Sequence, residues 1–573
     1  MTLREQSHTR RLTIIAQDPS VRDAHKKIIR ATVEVPAEDF APGPWGYRVH
    51  VVDYDSSSNL LYRPLKYDRP RNGLDVDPFE NASDEELLTN PNFHAQNVYS
   101  IVMMTLARFE FALGRRVSWS FYGHQIKVAP HAFADANAFY SEGDQALLFG
   151  YFPGSRGMVW SCLSHDIVAH ETTHALLDGL RQRYTDPSSP EQAGFHEGFA
   201  DTVALLSVFS LADVVGTIID LNSPRRRTKL IALDDVKPEK LRKSLLFGLA
   251  KEMGQELSGI RGDVLRRSAS MKPSLKYIND PEYEEPHNRG EILVAAMMNA
   301  FLQVWSNRVS KLGQASPGYL DRERVVEEGA EVANYLLTMS IRALDYAPPV
   351  DLEFSDFLSA VLTSDREINP TDAKYKFRKT LRESFAGYGI MPAGKGTAIE
   401  PGIWNSAKED EFNYGRTHLE SIQRDRDEVF RFIWDNRKAL RLYEGAYSRV
   451  LSVRPCLRIG PDGFALRETV AEYMQMIVLA AKELRALQIE LPKGMPADQQ
   501  ITLYGGGALI FNEYGRLKYH INNRIDNAGR QTNRLKYLWR FGYFKRGEAA
   551  FRDFSYLHQQ RAINRANSTV EEW

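Results

Sequence analysis

The chain has 573 residues, with 73 Lys+Arg against 74 Asp+Glu, enough length for about two to four domains and too little net charge to argue for nucleic acid, an anionic membrane or a polyanionic substrate. Two cysteines, Cys162 and Cys456, cannot build a disulfide framework or a thiolate zinc site. No apolar run approaches the roughly 18 residues of a spanning helix, and the N-terminal LTIIA is too short for a secretory core, so a cytoplasmic protein without a membrane segment is expected.

Residues 30 to 66 alternate apolar and polar side chains between Pro, Gly and Ser clusters, which predicts strands of a partly exposed sheet. NVYSIVMMTLARFEFAL, from Asn97 to Leu113, predicts a helix ended by Gly114. Strand signals return in WSFYGHQIKV, NAFYSEG and ALLFGYF, and helices then dominate 161 to 390. AGYGIMPAGKGTAIEPG, 386 to 402, has the composition of a linker. Beyond it stand a charged helical stretch, THLESIQRDRDEVFRFIWDNRKAL, a strand candidate, SRVLSVRPCLRIG, and a hairpin, ALIFNEYGRLKYHI, with Gly515 in its turn. The pattern is α+β, in three parts: a β-rich 1–160, a mainly helical 161–390 and an accessory α+β domain over 400–573. Arg524, Arg530, Arg534, Lys536, Arg540, Lys545 and Arg546 interleave with aromatic residues near the C-terminus. We read them as a half-buried element of that accessory domain rather than a nucleic-acid surface. Arg225, Arg226 and Arg227 read as an exposed charged loop, and Gly505 to Gly507 lack the Lys-Ser/Thr of a phosphate loop.

The chemistry is concentrated in SHDIVAHETTHALLDGL, Ser164 to Leu180, whose apolar positions suit a largely buried helix ending near Gly179. His170 and His174 lie four residues apart on it, so both imidazoles project from one face and can bind one ion. Glu171 stands beside them, placed for a metal-activated water. Two histidines and a glutamate inside an apolar helix are costly to bury without such a partner. A third ligand is needed for a site with an open position. Leu177 and Leu180 stand where the metzincin signature requires Gly and His, which excludes that class. FHEGFADTVALLSVF instead places Glu197 and Asp201 on one helical face, Glu197 to ligate and Asp201 to accept the other ring N–H of a ligand histidine. His165 and His131 read as structural.

HETTH followed by HEGFAD resembles the gluzincin class, and specifically the thermolysin-like zinc metallopeptidases, over about residues 90 to 305. The resemblance implies a two-lobed zincin with one Zn2+, acting on a peptide or protein substrate. It further implies that Asn137 and the main chain of Ala138, in NAFY, hydrogen-bond an extended peptide. By the same resemblance Tyr184 and His287 would serve the oxyanion, with Glu282 orienting His287. The chain departs from the family in the 22 residues between His174 and Glu197, in His196 before Glu197, and in lacking a recognisable acidic cluster for calcium, which is not predicted. The alternative is a zinc-holding, catalytically silent protein with a C-terminal binding domain. The intact Glu171 argues for the enzyme.

Overall fold

A computed structural model of the chain describes residues 9–544 apart from 40, 68–75, 121–122, 155–156, 187, 223–228, 244–266, 374 and 461. The run Arg225 to Arg227, and Lys545 and Arg546, lie outside the described residues. The fold is mixed helix and strand, as the sequence pattern predicts.

Strands β1 (Thr9–Ile15) and β2 (Arg30–Pro36) pair antiparallel. After β3 (Val49–Val51), and the short pair β4 (Tyr54–Asp55) and β5 (Leu60–Leu61), come helices α1 (Asp84–Thr89) and α2 (Pro91–Leu113). Asn90 caps α2, Pro91 occupies its first turn, and Gly114 ends it in the left-handed region at φ 67°, a conformation that costs glycine little. The sheet is completed by β6 (Ile126–Phe133), β7 (Ala138–Ser141), β8 (Ala146–Gly154) and β9 (Gly157–Trp160), in the order β3-β6-β8-β7, with β9 also on β8. β7 lies at the edge of that order, antiparallel to β8 with Ala138 opposite Phe149.

Two helices then cross the centre of the molecule, α3 (His165–Leu180) and α4 (Pro190–Phe209). In α3 every residue but Gly179 is buried, so its apolar residues are spread round the helix rather than gathered in one stripe. Thr172 and Thr173 are accommodated because their hydroxyls donate to the carbonyls of Val168 and Ala169, at 2.6 and 2.7 Å, so no hydroxyl enters the core unbonded. The helical part continues with α5 (Ala212–Asn222), β10 (Leu230–Ala232), α6 (Pro286–Val309), β11 (Tyr319–Asp321), α7 (Arg322–Ala343), α8 (Phe354–Ile368) and α9 (Phe377–Gly387).

Helices α4 and α6 cross in backbone contact. A Cβ on Gly198 would lie 2.7 Å from the Gly290 carbonyl oxygen, and one on Gly194 2.7 Å from Cβ of Arg289. Glycines one turn apart on α4 therefore remove the side-chain layer that usually separates helices by 8 to 10 Å.

The third part contains α10 (Arg426–Asp435), the antiparallel meander β12 (Tyr447–Ile459), β13 (Ala465–Ala480), β14 (Gln500–Asn512), β15 (Leu517–Asn523), and α11 (Ala528–Arg540). The expected strand and hairpin are present, with Gly515 at φ +77° between β14 and β15. The long charged helix is shorter than expected: Asp425 accepts from the Asp427 N–H and starts α10 only there. Regular structure lapses at the Gly/Pro segment, yet this segment is no loose tether. Gly394 N–H donates to the Ser359 hydroxyl at 2.8 Å and Ala393 N–H to the Ser355 carbonyl at 3.1 Å.

One buried apolar cluster runs from Leu12 through α2, α3, α4, α6 and α7 to Val470, Ile510 and Tyr519 of the C-terminal sheet. A buried ionic network ties the same parts together. Asp345 receives Arg115 at 2.5 and 2.7 Å and Arg458 of β12 at 2.5 Å, Arg458 also pairs with Glu468, and Arg181 after α3 pairs with Glu472 of β13. The basic residues of α11 are spent within the fold: Arg530 on Asp356 and Glu353, Lys536 on Glu490 and Arg540 on Glu284. Among the described residues no single helix is long and apolar enough to cross a membrane.

Candidate metal centre

Because α3 is buried on all sides, its polar residues must be satisfied from within, and α4 supplies partners to its three histidines. His170 and His174, one turn apart, point Nε2 at Nε2 across 2.6 Å. Glu197 of α4 faces both, with carboxylate oxygens 3.5 Å from His170 Nε2 and 3.9 Å from His174 Nε2. All three residues are about 2 % exposed. Asp201, one turn further along α4, stands 2.6 Å from His170 Nδ1. That contact requires the ring proton on Nδ1, so the lone pair of His170 lies on Nε2, aimed at His174 and Glu197.

Glu171 Oε2 accepts the Tyr140 main-chain N–H of the sheet at 3.0 Å. Tyr140 also donates its hydroxyl to Asp178 at 3.0 Å. Burial and that aspartate raise the tyrosine pKa well above its usual value. The edge strand β7 is thus bolted to α3 at two points, and Asn137 and Ala138 stand just before them. Both are buried, and the Ala138 N–H is held by the Asn137 side chain at 2.8 Å.

His287 enters from the first turn of α6, its Nε2 3.5 Å from Glu197 Oε1. The backbone contact between α4 and α6 brings it there. Its orienting partner is Glu285, whose Oε1 lies 2.9 Å from Nδ1 while Oε2 accepts the Asn288 N–H at 2.9 Å and caps the helix. Glu282, expected in that role, is a correction: it lies in the turn before α6, where its carbonyl accepts from the Asn288 amide. Glu291, one turn beyond His287, is a buried carboxyl whose pKa burial raises to about 7, with the Arg267 hydrogen bond acting in the opposite direction.

Tyr184 is a second correction. It sits in a short 3-10 turn, its ring edge-on to Phe195, and its hydroxyl donates to the Pro348 carbonyl at 2.7 Å. The structure does not bring it to the histidine cluster. His165 is structural as expected, buried between the Ala16 carbonyl and the Ser207 hydroxyl.

Two participants escaped the sequence reading. His196 stacks on His174 at 4.8 Å, with Nδ1 2.7 Å from His174 Nδ1. It stood in the sequence only as a departure from an asparagine. For Glu285 the signal is Glu-Pro-His, which places proline at the first helical position and the glutamate at the cap before it.

The donor set of two imidazole nitrogens and a carboxylate, all within 4.8 Å of one another, fits the three protein ligands of a zinc site with an open position. The carboxylate behind His170 is the usual support for such a ligand. No protein-family model matches this chain, and no curated protein matches it.

Proposed function

We propose that the chain is a zinc-dependent peptide hydrolase of the two-lobed, thermolysin-like gluzincin type, with His170, His174 and Glu197 as metal ligands. The observation that carries this reading is the convergence of these donors from two buried helices beside a carboxylate, Glu171, that is not among them. Bound there, zinc would supply Lewis acidity and ease deprotonation of a water.

The chain's own residues divide the remaining work. Glu171 takes the proton of the attacking water on its carboxylate and returns it to the leaving amine. Its bond to the Tyr140 N–H holds it against the strand that would carry the substrate. Asp201 fixes the His170 tautomer, and His196 braces His174. His287, held at Nδ1 by Glu285, would donate from Nε2 to the oxygen on which negative charge develops when both of its ring nitrogens carry a proton. An extended peptide added along the edge of β7 would meet Asn137 and Ala138, displacing the bond between the Asn137 side chain and the Ala138 N–H.

The test compares wild type with Glu171→Gln and His174→Ala, each assayed for bound metal and for cleavage of a mixed peptide library. Glu171→Gln should keep the wild-type metal content and lose at least about a hundredfold in turnover. His174→Ala should lose one ion. Cleavage that survives in Glu171→Gln would reject this base, and full metal retention in His174→Ala would reject the ligand set. The near-complete burial of the cluster supports a second reading, a metal-holding protein without turnover. That reading requires equal metal and no cleavage in both wild type and Glu171→Gln. A cytoplasmic setting accords with two buried, unpaired thiols.

A further inference from the structure

A second group of metal-type donors is buried in the N-terminal part, on elements other than α3 and α4. His94 lies in the first turn of α2, His131 in β6, and Cys162 in the 3-10 turn Ser161–Leu163 that leads into α3. Their donor atoms lie within 4.8 Å of one another and all three residues are buried. His94 Nδ1 and His131 Nε2 face each other at 2.7 Å.

The outer nitrogens decide what that contact is. His94 Nε2 lies 3.1 Å from the Leu88 carbonyl oxygen, which can only accept, so the His94 proton is on Nε2. His131 Nδ1 lies 2.8 and 3.1 Å from the two oxygens of Asp53, which also accepts the His131 main-chain N–H. The His131 proton is therefore on Nδ1. Two neutral rings so fixed present lone pair to lone pair across 2.7 Å, an arrangement that repels unless a cation lies between them. The Asp53–His131 pair repeats the Asp201–His170 arrangement of the first centre: carboxylate on Nδ1, Nε2 turned to the cluster.

We propose that His94, His131 and Cys162 form a second metal site for a zinc-type divalent ion, with Asp53 supporting His131. On binding, the Cys162 S–H bond breaks, its proton leaves to solvent and the sulfur bonds the metal. The thiolate and the Asp53 carboxylate together match the two charges of the ion, so the occupied site is neutral where it is buried. Two cysteines are too few for a thiolate cage, but one is enough beside two imidazoles. Trp160 closes the site, 4.6 Å from the His131 ring and 5.3 Å from that of His94, with Tyr62 4.9 Å from His131. With three protein donors the ion keeps a fourth position open to a small ligand, and it clamps α2, β6 and the entry to α3.

The two centres are separable by sulfur. Full-length protein loaded anaerobically with cobalt(II) should show a thiolate-to-cobalt charge-transfer band in the near ultraviolet, which His, His and Glu alone cannot give. The band should persist in His174→Ala and in Cys456→Ser, and vanish in Cys162→Ala. Zinc content should be about two ions per chain in wild type and about one in either Cys162→Ala or His174→Ala. Should Cys162→Ala fail to fold, the band in His174→Ala and its loss in His131→Gln carry the test. A folded wild type that shows no sulfur band, or a band abolished by Cys456→Ser, overturns the proposal, and a proton shared between the two rings then accounts for their contact. About one ion in both wild type and His174→Ala, with the band intact in each, would mark failure of the first centre and not of this one.

Discussion

Asp345→Asn tests whether the third part of the chain is held by charge as well as by apolar contact. Asp345 is fully buried between α7 and the C-terminal sheet. Burial would raise its carboxyl pKa, but the Arg115, Arg458 and Arg181 guanidiniums outweigh that and hold it well below the usual range. The substitution keeps the shape and removes the charge, leaving Arg115 and Arg458 buried against a neutral amide. Breaking a buried pair in this way costs about 3–5 kcal/mol; the three short bonds at 2.5 to 2.7 Å lose their charge assistance, and the donors on one side meet an amide NH2 that cannot accept. We expect a loss of about 4 kcal/mol, roughly a thousandfold in the folding constant. Urea unfolding gives the total, and native-state hydrogen exchange along β12 and β13 locates it, since the sheet should open before the helical core. A loss under about 1 kcal/mol would refute the argument, because it would mean that these charges are solvated. Replacing Arg115 by Met in the same background should recover part of the loss by removing the stranded cation, since Arg458 keeps Glu468.

Asp201→Ala should weaken metal binding about 10- to 100-fold by releasing the His170 ring; competition with a chromophoric chelator measures it, and an unchanged affinity would remove Asp201 from the centre. Gly198→Ala places a methyl group 2.7 Å from the Gly290 carbonyl oxygen and should cost about 1–3 kcal/mol as overpacking, read as a fall in melting temperature. His165 is held at about 3, first by burial and then by Arg108, with the Ala16 hydrogen bond acting the other way. The unfolded chain therefore binds the extra proton between about pH 6.5 and 3, and stability present above 6.5 is lost as the pH falls. By about pH 5 this group alone should cost about 2 kcal/mol. His165→Gln should flatten the dependence of the urea midpoint between about pH 7 and 5 by that amount, and an unaltered slope would reject the assignment.

The first centre was legible because its parts are local. His170 with His174 and Glu197 with Asp201 are each one helical turn apart, so spacing alone puts each pair on one face. The strand and hairpin of the third part were legible for the same reason, as periodicity between turns. What was hidden depends on contacts between distant segments. Glu285 rather than Glu282 orients His287 because α6 begins at Pro286, one residue after its cap. Tyr184 turns to Pro348, a partner 164 residues away. His94, His131 and Cys162 have no motif spacing, and only the packing of α2 on the sheet gathers them. The Gly/Pro stretch resembles a linker in composition, but the ionic network around Asp345 joins residues 115, 181, 345, 458 and 472, which no local pattern connects.

The glycine contact between α4 and α6 also has a mechanical meaning. Helices separated by side chains can slide, because rotamers absorb small displacements. Here backbone rests on backbone, so the pair has almost no compliant layer and moves as one stiff beam. Glu197 sits beside Gly198 on one half of that beam and His287 three residues before Gly290 on the other. Their separation of 3.5 Å is accordingly set by the scaffold and not by local adjustment. A force applied far along α6, where Asn299 meets Ser384 of α9 at 2.9 Å, would reach the candidate metal centre with little loss.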